Sequence, residues 1–272
     1  MAQDFVLSAS SLNTYLRCGR QWMYAYVQGI KAQPSLRAVR GIAVHAGVEL
    51  NFRQKIQTHT DLNQDMVLDA FGQAYDEETA DGYDAKEGET HGSVKDVGYK
   101  MASVFHKEAA PRIQPTMVEE PISFTINGQV WTGQIDYAEE RPATLWGDSE
   151  PGLVVCDAKT SAAMPRPDSY LINMTGYALA TRQLTGKKEA DVRFDYIITT
   201  KAGNVRYEPI NTGQVSDSQV EGFAWVVADV ASKINQGSFP ANGLTNPGVC
   251  DWCGYRTMCP AYKLKNPNAG GA

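Results

Sequence analysis

Long apolar runs are missing from this chain: no stretch approaches the about 20 residues that a bilayer-spanning helix needs. The opening segment MAQDFVLSAS carries an acid and no apolar core, so it does not read as a secretory signal. A cytoplasmic setting is the expectation. Excess positive charge is missing too. Lys and Arg number 25 against 31 Asp and Glu, a net charge of −6. That argues against a protein that coats nucleic acid by bulk charge. It leaves room for a nucleic-acid enzyme, because carboxylates that hold a metal count toward the acidic total. There is no internal repeat. What is present is ordinary for a soluble globular protein: 272 residues, 43% hydrophobic and 21% charged, enough for one large domain or two small ones.

Cysteine is scarce, yet four of the five form one split pattern. Cys250, Cys253 and Cys259 make a CxxCx5C near the C-terminus, and Cys18 stands alone near the N-terminus. Four thiolates are the usual complement of a [4Fe–4S] cluster or a structural zinc, and spacing does not choose between them. In a reducing compartment closely spaced cysteines read as metal ligands rather than disulfides. If all four bind one centre, the two ends of the chain must meet. The fifth, Cys156, lies in the apolar run LVVC and reads as a small buried side chain.

Residues 8–30 read as one helix, with Ser8, Ser10 and Ser11 as caps and Gly29 as its end. Its aromatic stripe, including Trp22 and Tyr26, reads as core before a base-stacking surface. A second helix is expected to start near Gly41 and to carry His45 and Glu49. Residues 61–110 look helical, broken by a polar loop. The β signal is concentrated in 118–159. Ile122, Phe124 and Ile126 alternate with polar residues, Asn127-Gly128 is a two-residue hairpin turn, and the return strand carries Asp136. LVVCDAKT at 153–160 is an apolar strand. A helix over 168–184, a strand over 194–200 and a helix over 216–236 follow. The end KNPNAGGA, from 265 to 272, reads as a disordered tail. This order suits an α/β (α+β) arrangement, a mixed sheet flanked by helices, with a cysteine-bound subdomain made from both termini. The expected boundaries are 31–240 for the core, with a helical insert at about 51–115, and 1–30 plus 241–264 for the subdomain.

Side chains alternate along a strand, so Asp157 and Lys159 share one face and Cys156 and Ala158 the other. Asp136, from the neighbouring hairpin, can join them. Two carboxylates and an ammonium at one sheet edge could hold Mg²⁺ or Mn²⁺, polarise a phosphoryl oxygen and activate water. A D-x-K triplet also arises by chance at solvated strand ends, and both readings stand on these residues alone. His45 likewise reads either as a packed structural residue or as a ligand.

The ordered set SxSxLxxYxxC at 8–18, GIAVH at 41–45, GQID at 133–136, DAK at 157–159 and CxxCx5C at 250–259 resembles the PD-(D/E)XK nuclease superfamily. It is most similar to the RecB-like, Cas4-like branch with an iron–sulfur cluster. The resemblance implies a restriction-endonuclease-like fold. It implies that His45, Asp136, Asp157 and the carbonyl of Ala158 hold the catalytic Mg²⁺ or Mn²⁺, and that Lys159 assists the nucleophile. It also implies that Cys18, Cys250, Cys253 and Cys259 hold a [4Fe–4S] cluster. The family commonly carries Q-x-x-x-Y on the next helix; here Asn173 and Tyr177 occupy those positions, and the asparagine amide reaches one methylene less far. Gly19 stands where proline is frequent.

The implied activity is a metal-dependent deoxyribonuclease, an exonuclease on DNA ends or single strands. Its expected setting is a bacterium or phage-infected cell, with recombination, repair or CRISPR-adaptation proteins as partners and no membrane. The rivals are a non-catalytic DNA-binding or assembly module on the same fold and a zinc-stapled scaffold. Arg17, Arg20, Lys31, Arg37 and Arg40 could form a basic strip toward the site or be solvated surface charges. Trp22, Tyr24 and Trp252 could stack bases.

Overall fold

The computed structural model describes residues 5–142, 151–164, 170–200, 202–246 and 248–266. The tail expected over 265–272 lies outside the described residues beyond Asn266. In chain order the elements are α1 (Ala9–Arg17), α2 (Gly19–Trp22), α3 (Leu36–Thr58), α4 (Gln64–Thr79), α5 (His91–Val104), β1 (Pro115–Ile126) and β2 (Gln129–Arg141). Then come β3 (Gly152–Ser161), α6 (Leu171–Thr185), β4 (Asp191–Thr199), β5 (Val205–Asn211), α7 (Asp217–Asn235) and α8 (Pro260–Lys265). The chain forms two compact units, one of Met1–Gln33, Ser123–Gly133 and Val220–Ala272, the other of Pro34–Ile122 and Gln134–Gln219.

In the first unit, the single helix expected over 8–30 is broken. Ser8 caps α1 by accepting from the Ser11 amide, and Ser11 returns the bond. Cys18 is extended (φ −162°, ψ 109°) and separates α1 from α2. A wider helical turn over Met23–Val27 follows. Close approach explains the break. A Cβ on Gly19 would lie 2.7 Å from Pro240 Cδ, and the Arg20 amide donates to the Pro240 carbonyl at 3.1 Å. Trp22 is buried and stacks on Tyr26 and Phe239, with Tyr15 and Phe5 at its edges. The aromatic stripe is core there, apart from Tyr26, which is exposed.

The second unit is built on the sheet. Strand order is β1-β2-β3-β4-β5, with β2–β3 and β4–β5 antiparallel and β3–β4 parallel. Asn127 and Gly128, in the part of the hairpin that belongs to the first unit, both take positive φ (48° and 77°), the geometry of a tight turn. A parallel pair needs a crossover, and α6 supplies it, ended by Gly186 at φ 69°. Helix α3 starts at Leu36, earlier than Gly41, because the Ser35 hydroxyl accepts from the Ala38 amide. Its apolar face, Leu36, Val39, Ala43, Val44, Val48 and Phe52, packs with α4, α5 and one face of the sheet around Tyr137, Val154, Cys156 and Ala158. Cys156 is fully buried, as expected. The edge strand β5 was not apparent in the sequence. Its Pro209 removes a backbone donor, which only an edge tolerates.

Beneath β2 and β4 lies a polar network. Asp195 is fully buried and accepts from the hydroxyls of Tyr137 and Tyr207 and from Arg193 Nε at 3.0 Å, while Arg193 also pairs with Glu139. Losing one partner of such a set strands the others away from water. Asp195→Ala is therefore expected to lower stability by about 3–5 kcal/mol, read as a drop in urea midpoint. A change under about 1 kcal/mol would show the network to be solvated.

Candidate active site

Helix α3 passes close to β3 at Gly41, where a Cβ would sit 3.2 Å from Thr160 Oγ1. That approach, one turn before His45, lets the imidazole reach the strand. His45 Nε2 is 2.7 Å from the Ala158 carbonyl oxygen, and Nδ1 is 3.4 Å from Asp136 Oδ2. Antiparallel pairing puts Tyr137 opposite Cys156, so Asp136 comes level with Asp157 one residue further on. The Ala158 amide donates to Asp136 Oδ2 at 3.0 Å. Lys159 Nζ donates to Asp157 Oδ1 at 2.6 Å. Asp157 is fully buried, and its Oδ2 has no hydrogen-bond partner.

A third acid completes the group. Glu119, Asp136 and His45 bring their donor atoms within 4.8 Å of one another. Glu119 takes φ 50°, a left-handed kink rare for a residue with a side chain, and Gln134 Nε2 donates to its carbonyl oxygen at 3.2 Å. Glu119 was not among the site residues expected from the sequence. The kink breaks strand alternation at VEEP, so no period-two pattern reports where its side chain goes.

The electrostatics are those of crowded anions. Burial, then Asp136, pushes Asp157 up to about 8, with Lys159 opposing. Burial and then Glu49 push Glu119 up to about 7. Asp136 is raised by burial against the pull of Lys159. Burial and the Lys159 charge lower His45, keeping it neutral, the form that ligates metals. For Lys159 burial works downward, but Asp157 and Asp136 outweigh it and raise the ammonium. A buried oxygen without a donor beside two further carboxylates and a neutral imidazole is a donor set that fits a hard or borderline divalent cation.

On α6, Tyr177 is buried and hydrogen-bonded with Asn173. Burial raises its hydroxyl well above the usual range, and Asp157 and Asp136 add to the shift. Tyr170, absent from the sequence reading, puts its ring 5.9 Å from Lys159 Nζ. The expected basic residues are placed otherwise than on a bare strip. Arg40 is buried, 7% exposed, and Arg37 is paired with Glu89. In the first unit Arg17 bonds Gln21 and Arg20 bonds Met23. Trp22 and Tyr24 are buried, while Trp252 is exposed.

The four-cysteine centre needs correction. Cys18, Cys250, Cys253 and Cys259 line one cavity of the first unit, but as free thiols. Among the described residues, the donor group close enough to share an ion is His45, Glu119 and Asp136, and no cysteine set joins it. Sulfurs about 2.3 Å from one tetrahedral ion would lie nearer each other than that. Cys18 and the segment from Cys250 to Cys259 do meet, but neither a [4Fe–4S] cluster nor a zinc staple is supported, and no distinct iron–sulfur subdomain is seen among the described residues.

Residues 6–260 match the PD-(D/E)XK nuclease superfamily. The match is to the superfamily as a whole and carries no support for a Cas4-like, iron–sulfur branch, so that finer resemblance is withdrawn. No curated protein matches the chain. Among solved structures, one from Eubacterium rectale, named as a putative exonuclease, is similar with a TM-score of 0.55 at 13% identity, over 98% of this chain and 94% of that one. At that identity the likeness speaks for the fold, a mixed sheet flanked by helices of restriction-endonuclease type. No helix among the described residues is long and apolar enough to cross a membrane. With the match spanning nearly the whole chain and the acid–lysine site at its centre, this protein belongs to the PD-(D/E)XK nuclease superfamily.

Proposed function

We propose that the chain is a divalent-cation-dependent deoxyribonuclease acting on DNA ends or single strands. One observation carries the reading: His45, Glu119 and Asp136 gather their donor atoms beside the buried Asp157–Lys159 pair. His45, Glu119 and Asp136 would hold Mg²⁺ or Mn²⁺, and Asp157 would add its unpartnered Oδ2. When bound, such an ion polarises a phosphoryl oxygen and makes water a nucleophile near neutral pH.

The chain's own groups do the rest. Lys159, fixed by Asp157 and covered by the Tyr170 ring, presents a permanent positive charge to an attacking water or to the pentavalent phosphate. The Ala158 backbone holds two parts of the site at once, its amide on Asp136 and its carbonyl on His45. Asn173 and Tyr177 support the site from α6, with the tyrosine hydroxyl held as a neutral donor near the acids. The preference for ends over internal bonds rests on the resemblance and on the name of the Eubacterium rectale relative. Partners in recombination, repair or CRISPR adaptation rest on the resemblance alone.

Digestion of end-labelled single- and double-stranded DNA with Mn²⁺ tests the activity. Stepwise shortening from ends, with covalently closed circles spared, is the expected pattern. Lys159→Ala and Asp157→Ala should each lose at least about a hundredfold in rate. Wild-type protein that binds DNA yet cuts neither substrate would point instead to the non-catalytic module.

The ligand set has its own test. Glu119→Gln keeps the size of the side chain and removes one anionic oxygen ligand. It should weaken Mn²⁺ binding by about tenfold or more, measured by calorimetry without DNA. An unchanged isotherm would take Glu119 out of the site.

A further inference from the structure

An acid-rich cleft repels the polyanion it is meant to cut, so something must draw the strand in. Lys159 cannot do this well. Its ammonium is spent on Asp157, and only a quarter of the side chain is exposed. Helix α3 offers a second cation. His45, Glu49 and Arg53 follow one another at i, i+4 and i+8, which share one side of a helix. Arg53 Nε donates to Glu49 Oε1 at 2.6 Å, and its side chain is 54% exposed against 37% for Glu49. Glu49 lies one turn beyond His45 and Arg53 one turn beyond Glu49, so the pair continues the side of α3 that carries the candidate ligand. Helical side chains tilt toward the N-terminus, which leans Arg53 back along α3 toward His45.

We propose that Arg53, oriented by Glu49, grips a backbone phosphate that flanks the scissile one. This rests on the nuclease reading above. Several features favour a flanking phosphate over the reacting one. Eight residues of helix put Arg53 about 12 Å along the axis from His45, beyond contact with a phosphoryl group held at the ligands. The bond to Glu49 uses Nε, and the two terminal nitrogens of a guanidinium carry four further N–H donors in a fork that matches phosphate. An exposed i, i+4 pair adds little to stability, so the charge remains available to an incoming anion. The substrate class is a single-stranded or frayed polynucleotide backbone, contacted without regard to base.

The test uses Arg53→Ala and Arg53→Lys in the full chain. Binding of a fluorescent single-stranded oligonucleotide is followed by anisotropy in Ca²⁺ over a range of salt, and cleavage is followed in Mn²⁺. Arg53→Ala should weaken binding about fivefold to tenfold and flatten the salt dependence by about one phosphate contact, near 0.7 in the log–log slope. KM should rise with kcat at saturating DNA little changed. Arg53→Lys should keep the slope and recover part of the affinity, as a point charge without the fork. If wild-type protein binds and cuts while Arg53→Ala matches it in both slope and KM, the contact is overturned and the nuclease reading stands. A fall in kcat at unchanged KM would also overturn it, placing Arg53 at the chemistry instead. Wild-type protein that binds with the expected Arg53 dependence but does not cut would remove the hydrolysis and keep the contact. Protein that binds no DNA would end both.

Discussion

Burying three carboxylates within reach of one another is unfavourable, and the second unit of this chain is arranged around that penalty. Asp157 has no solvent access, one of its oxygens lacks a donor, and its neighbours Asp136 and Glu119 bind protons more tightly than free carboxylates do. A single lysine offsets part of the repulsion. Such a site is poorly balanced by the chain alone and becomes well balanced when a divalent ion sits among the acids. Strain points the same way. The left-handed backbone at Glu119 persists in an otherwise regular strand, and its effect is to turn one more oxygen donor toward His45 and Asp136.

The scaffold that enforces this crowding is short-range. Antiparallel pairing of β2 with β3 levels the two aspartates, and parallel pairing of β3 with β4 requires α6, the element that carries Asn173 and Tyr177. Ala158 is the hinge of the arrangement. Its side chain is in the core, while its amide and carbonyl serve opposite ends of the site. A residue whose side chain does nothing chemical therefore fixes the distance between a helix ligand and a strand ligand. Backbone groups are already held by the sheet ladder, so this positioning asks for no further ordering of a long side chain.

Much of this was legible in the sequence because period-two alternation and turn chemistry are local. Asn127-Gly128, the VVCD run and the D-x-K spacing gave the hairpin, the buried strand and the shared face of Asp157 and Lys159. Other features depended on long-range contacts that no local pattern encodes. Cys18 sits at a helix break because Pro240 packs against Gly19, a contact between residues far apart in the chain. Arg40 reads as a surface charge, yet it is buried beside Gly98. Glu119 was invisible for the opposite reason: a local kink cancelled the alternation that would have placed it. Helix α3 began early because one serine hydroxyl outweighed the appearance of GIAVH as a start.

Spacing brings the cysteines together without making them ligands. CxxCx5C with a distant Cys18 predicted convergence, and the four thiols do share a cavity. Convergence is weaker than ligation, which demands sulfurs close enough to meet one centre. The His45, Glu119 and Asp136 donors meet the corresponding distance condition, and the cysteines do not. The nuclease reading does not lean on the thiols at all. Every residue from His45 to Tyr177 that carries it lies in the second unit, and every one of the four thiols lies in the first. Withdrawing the metal from the cysteines therefore removes nothing from the acids, whose crowding, orphaned oxygen and strained neighbour would ask for a cation even if the cysteines were serines.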